Sequence, residues 1–68
     1  MEEFIWGRRI RAFRKLKGFT QEQLATELGV SVSVMGEIER GNRVPTDELI
    51  DQISIALNIA REDLKSIN

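Results

Sequence analysis

The stretch Thr20-Gln21-Glu22-Gln23-Leu24-Ala25-Thr26-Glu27-Leu28-Gly29-Val30-Ser31-Val32-Ser33-Val34-Met35-Gly36-Glu37-Ile38-Glu39-Arg40-Gly41 decides the fold of this chain. It reads as two short helices joined at Gly29, each with its own start and stop. Thr20 with Gln23 three residues on makes a capping box, and Phe19 ahead of the cap can reach Leu24 as a hydrophobic staple. Ser31 starts the second helix, with Val30 before it placed to reach Met35. Gly41 then stands where a left-handed C-terminal cap is wanted. Gly29 tolerates the positive φ of a tight turn, and Ala25 is small enough for the second helix to cross close over the first. Leu24, Leu28, Val30, Met35 and Ile38 give apolar faces at helical spacing. Helices this short are not stable alone, so the unit must be packed against the rest of the chain. A plain helix–helix corner without a ligand is the simpler alternative for such a pair.

Upstream, the spacing predicts a first helix over Ile5 to Lys17. Trp6, Ile10, Phe13 and Lys17 follow one face, Arg14 lies on its edge, and Arg8, Arg11 and Lys15 lie opposite. Gly18 and Phe19 end it as a C-terminal cap with its hydrophobic contact. The basic face either attracts phosphate or is simply solvated, and solvation is the plainer reading. Downstream, Asn42-Arg43-Val44-Pro45 is a loop of turn formers. Thr46 caps a fourth helix, with Asp47 and Glu48 in its first turn and Leu49, Ile50, Ile53, Ala56 and Leu57 on its buried face. Asn58 is a left-handed stop, and Ala60 to Ile67 is expected to form a short fifth helix. The expected architecture is all-α, a compact five-helix domain over residues 1–68 with its helix-turn-helix at about 20–41.

Sixty-eight residues hold one small core. The chain is 41% hydrophobic and 31% charged, a balance that suits a folded domain rather than a disordered one. It has neither Cys nor His, so the usual zinc ligands, the thiol nucleophile and the commonest general base are all missing. No enzyme, catalytic residue, metal or cofactor is expected, and no small-molecule substrate. No apolar run approaches the ~20 residues that span a membrane. The acidic start, Met1-Glu2-Glu3, lacks the positive region of a secretory signal, so a cytoplasmic protein without membrane association is expected.

The net charge of −1 is unevenly spread. Residues 1–19 carry six basic and two acidic side chains, a local +4, whereas residues 20–45 carry −2 and residues 46–68 carry −3. A local positive surface is enough for a small domain to meet phosphates, so the acidic total decides little.

The chain resembles the phage repressor and Cro-like (xenobiotic-response-element type) helix-turn-helix family. Thr20-Gln21, Leu24-Ala25, Gly29-Val30-Ser31 and Ile38-Glu39-Arg40-Gly41 carry the likeness. It continues in Gly7, Arg9-Ile10-Arg11 and Phe13-Arg14, then in Pro45, Leu49 and Ala56-Leu57-Asn58-Ile59. Ala60 departs from it, since the family prefers a hydroxyl cap there. The resemblance implies a sequence-specific, DNA-binding transcriptional regulator that binds an operator on double-stranded DNA as a homodimer, with the 31–40 helix in the major groove. It carries base contact to Val32, Ser33 and Glu37, and phosphate contact to Gln21 and to the loop at Asn42 and Arg43. It also implies a partly buried ion pair between Arg14 and Glu39.

With Met35 and Ile38 inward, 100° per residue turns Ser33, Gly36, Glu37 and Arg40 outward, with Val32 on the flank. Val32 could pack on a thymine methyl and Glu37 could accept from cytosine N4. Arg40 and Arg43 suit backbone oxygens or a guanine edge. Gly36 either gives room for close approach of the groove or is a tolerated surface residue, at a helical cost of ~1 kcal/mol against Ala. The apolar and acidic character of this face leaves a second reading open, a protein-interaction module or anti-repressor that keeps the fold. Candidate dimer surfaces are Arg61, Leu64 and Ile67 at one end and Phe4 and Trp6 at the other. Leu16, off the main stripe, packs on the terminus or on a partner.

Overall fold

Three further helices wrap the inner edges of the helix-turn-helix. The computed structural model describes the backbone of residues 2–65 and the side chains of residues 6–65. Helix α1 spans Glu2–Leu16, α2 Gln21–Leu28, α3 Val32–Arg40, α4 Asp47–Leu57 and α5 Arg61–Leu64. No strand occurs among the described residues.

The polar caps close as their chemistry dictates. Thr20 Oγ1 accepts the Gln23 N–H at 3.0 Å while Gln23 Oε1 accepts the Thr20 N–H at 2.9 Å, which completes the capping box. Ser31 and Thr46 accept from Val34 and Leu49, each at 3.1 Å. Ser31→Ala should cost about 1 kcal/mol and lower the melting temperature by about 4–8 °C, measured by circular dichroism. The α2–α3 turn is made at Gly29, whose φ of 74° is left-handed. There the Val30 N–H returns to the Ala25 carbonyl at 3.0 Å. Ala25 itself is buried, so α3 can cross α2 closely.

The core is one cluster. Ile10, Leu24, Met35, Ile38, Ile53, Leu57 and Leu64 are fully buried, and Phe13, Phe19, Val30 and Leu49 pack around them. Helix α1 packs mainly on α3, and α4 closes the far side of α2. Three expectations change at the edges. Helix α1 begins earlier, at Glu2, and ends at Leu16, so Lys17 leaves the apolar stripe and is exposed. The chain turns there through Gly18, and the Phe19 N–H reaches back to the Arg14 carbonyl at 3.0 Å. Helix α5 is a single turn that stops at Leu64 rather than continuing to Ile67, which lies outside the described residues.

Helix α5 starts on an incomplete cap. Asp63 accepts the Ala60 N–H at 3.2 Å, but Ala60 has no side-chain oxygen to return the bond, so only half a capping box exists. Tertiary contacts hold the turn instead. Leu64 is fully buried, and Arg61 bonds Asp47 at 2.6 Å and Asp51 at 2.9 Å on α4. The hydrogen bond that Arg61 donates to Asp47, then the one to Asp51 and the charges of both carboxylates, outweigh desolvation and hold the guanidinium above its ordinary range. Leu64 therefore belongs to the core and cannot serve as a dimer surface. Trp6 is half-buried against that core, while the Phe4 side chain lies outside the described residues. Leu16 is 74% exposed.

Candidate nucleic-acid interface

Helix α3 has two opposite edges. Met35 and Ile38 are fully buried, whereas Ser33 and Arg40 face solvent and Val32 is 42% exposed. Glu37 is half-buried on the outer edge. Gly41 at φ 84° ends the helix, and the Asn42 N–H closes on the Glu37 carbonyl at 2.8 Å. Asn42 and Arg43 thus leave α3 on the same side as its polar edge.

Under that edge runs a buried polar knot. Arg14 Nε donates to Glu39 Oε2 at 2.7 Å, and Arg14 Nη2 donates to Oε1 at 3.1 Å, a two-pronged bond between α1 and α3. Arg14 Nη1 also donates to the Phe19 carbonyl at 2.9 Å, and Gln21 Nε2 donates to Glu39 Oε1 at 3.0 Å. The Glu39 side chain is only 4% exposed. Such a pair is tolerated because its lone pairs and protons are used, and no buried side-chain nitrogen or oxygen among the described residues lacks a partner. The knot joins three elements, α1, the start of α2 and the end of α3, and so sets the tilt at which α3 is presented.

The structure places the remaining site residues unevenly. Gln21 has one amide proton committed to Glu39, so what it can offer a phosphate is its second amide proton and the open N–H groups of the α2 N-terminus. Glu37 and Arg43 are bound to each other, Nε to Oε1 at 2.8 Å, and both stay partly exposed. Neither stands alone as a reader or a phosphate contact. Gly36 lies on the outer edge but is buried, because Arg40 runs back over it. A Cβ there would lie 3.0 Å from Arg40 Nη1 and 3.8 Å from Gln21 Nε2. The acidic groups of this face are therefore paired, Glu39 with Arg14 and Glu37 with Arg43. Among the described residues Arg11 and Arg40 have no carboxylate partner.

Gly7 is the position that reading the residues missed. It is buried where α1 crosses α3, and a Cβ there would strike the Ile38 carbonyl oxygen and come within 2.8 Å of the Glu39 carbonyl oxygen. The signal was available: a Gly inside a helix is unfavourable by ~1 kcal/mol and asks for a packing reason.

Two outward-turned helices on an apolar frame, with a basic surface beside them, define the class. A helix-turn-helix family profile matches residues 10–64. The chain belongs to the Cro/C1-type helix-turn-helix family of DNA-binding transcriptional regulators. It is 61% identical over 64 residues to the uncharacterised HTH-type transcriptional regulator YazB of Bacillus subtilis (strain 168), covering 94% of this chain and 93% of that protein. It is 41% identical over 59 residues to the HTH-type transcriptional regulator SlrR of the same organism, covering 85% of this chain but 39% of SlrR. Its structure is similar to the restriction-modification controller protein C.AhdI from Aeromonas hydrophila. That match has a TM-score of 0.85 at 35% identity and covers 91% of this chain and 94% of that one. The two Bacillus subtilis relatives are HTH-type transcriptional regulators. No described helix is long and apolar enough to cross a membrane.

Proposed function

We infer that this chain binds an operator as a homodimer in the cytoplasm, placing α3 in the major groove and controlling transcription by occupancy. The observation that carries the reading is the division of α3 into a fully buried inner edge, Met35 and Ile38, and a polar outer edge clear of the core. Helix α2 then lies across the backbone, with its N-terminus facing a phosphate. Val32, Ser33 and Glu37 meet base edges, and Gln21, Asn42 and Arg43 meet phosphates. One reading helix spans few base pairs, so useful affinity comes from two copies on half-sites about 34 Å apart.

The Glu37–Arg43 bond gives the acidic reader a physical excuse. Arg43 masks the Glu37 charge in the free chain. At the duplex the guanidinium can turn to a phosphate while the carboxylate accepts from a cytosine N4–H. Selection of bound sites from a random duplex pool tests this. Glu37→Gln should change the preferred base at one position, a discrimination of about 1–3 kcal/mol. Arg43→Ala should weaken all sequences alike and reduce the salt slope by about 1. Equal scaling by both variants would show the roles to be wrong. A chain that ignores every duplex at low salt would instead favour the protein-interaction module, whose support is the apolar Val32 and the acidic Glu37.

A further inference from the structure

Beside the reading edge lies a groove of about 520 Å³ that α1, α2 and α3 share. Arg11 and Arg14 of α1 line it, with Thr20 and Gln21 at the start of α2 and Glu39 and Arg40 at the end of α3. Its one carboxylate, Glu39, is consumed by Arg14 and Gln21. What remains unspent is the guanidinium pair of Arg11 and Arg40, both exposed. A second groove of similar size, about 580 Å³, is lined by Lys17, Glu22 and Glu27 and so carries a negative excess. Size therefore does not mark the first groove; charge does.

We propose that Arg11 and Arg40 clamp a single backbone phosphate in this groove, and that Gly36 is the notch that seats Arg40 for it. The inference rests on the DNA-binding reading above and deepens it, since it adds Arg11 to the interface and gives Gly36 a task. Guanidinium is suited to the work, because its planar fork bonds phosphate oxygens two at a time and never loses its charge. Arg40 lines the groove while lying back one helical turn across Gly36, toward Gln21. A methyl group at position 36 would meet its Nη1 at 3.0 Å, and since that is the tip of a flexible side chain, the arginine would be the group that moves. Arg40 is thereby a backbone contact rather than a base reader. Gly36 acts through it as a positioning residue.

The test is a titration of a fluorescent random-sequence duplex across a series of salt concentrations. Arg11→Gln and Arg40→Gln should each weaken binding about tenfold, and together about thirtyfold rather than hundredfold, because both hold the same phosphate. The double variant should lower the salt slope by about 0.9, the value for one phosphate. Gly36→Ala should raise the melting temperature by about 4 °C, since Ala is the better helix former. It should nonetheless weaken binding about fivefold, and that loss should vanish when Arg40 is already Gln. If the wild type binds with a steep salt slope and Arg11→Gln keeps both affinity and slope, the clamp is refuted while the DNA-binding reading survives. The seat is refuted if Gly36→Ala weakens binding equally with and without Arg40. If the wild type shows no salt-dependent binding at all, both readings fall together.

Discussion

Arg14→Met, with Glu39 left in place, should remove about 3–5 kcal/mol of stability, the cost of stranding one member of a buried pair. A domain of this length holds about 3–10 kcal/mol in total, so the single variant should lose about a third or more of its stability and unfold at a clearly lower urea concentration. The stranded carboxylate would keep only its bond from Gln21. Arg14→Met combined with Glu39→Leu should recover most of the loss, because a buried pair replaced by apolar groups of similar volume is often neutral. Recovery would be incomplete, since the Phe19 carbonyl and the Gln21 amide both lose a partner. Urea unfolding followed by circular dichroism checks all three proteins. A single variant as stable as the wild type would show that the knot contributes nothing to the fold.

Gly7→Ala is the second large effect, and its sign is opposite to the effect expected of the same change at Gly36. Both glycines lie inside helices, so Ala favours the helix by ~1 kcal/mol at either one. The neighbours decide the outcome. At position 36 the added methyl meets the end of an arginine, which can swing away. At position 7 it meets the backbone carbonyl oxygens of Ile38 and Glu39, which are fixed in α3. Helices α1 and α3 must then separate along the contact that holds Ile10 against the core and Arg14 against Glu39. Overpacking of this kind costs about 1–3 kcal/mol, which the helix gain of ~1 kcal/mol offsets only in part, for a net loss of up to about 2 kcal/mol before the loosened ion pair adds to it. Thermal unfolding of the two variants side by side gives the measurement. Equal gains in both would mean that the α1–α3 crossing tolerates a methyl group.

The same contrast shows which parts of this chain can be read without coordinates. Thr20, Ser31 and Thr46 cap their helices by bonds to backbone groups three residues away, and Gly29, Gly41 and Asn58 end theirs by local φ. These are short-range matters, so letters at fixed offsets report them. The apolar stripe of α3 was legible for the same reason. The start and end of α1 and the early stop of α5 were not, because helix ends without a strong cap are settled by what packs there. Lys17 is the instance: its spacing fitted the stripe, but the helix had already ended.

The site divides along the same line. Sequence alone determined that α2 and α3 form a helix-turn-helix, that Met35 and Ile38 face inward, and that Ser33, Glu37 and Arg40 lie on the outer edge. Periodicity and capping are properties of neighbours in the chain. Only the tertiary structure decided that Glu37 is masked by Arg43, that Arg40 lies over Gly36 toward Gln21, and that Arg11 shares a groove with both. The shared groove depends on the angle at which α1 crosses α3, and that angle is set by the close approach at Gly7, where no methyl group fits, and by a guanidinium bound twenty-five residues away at Glu39.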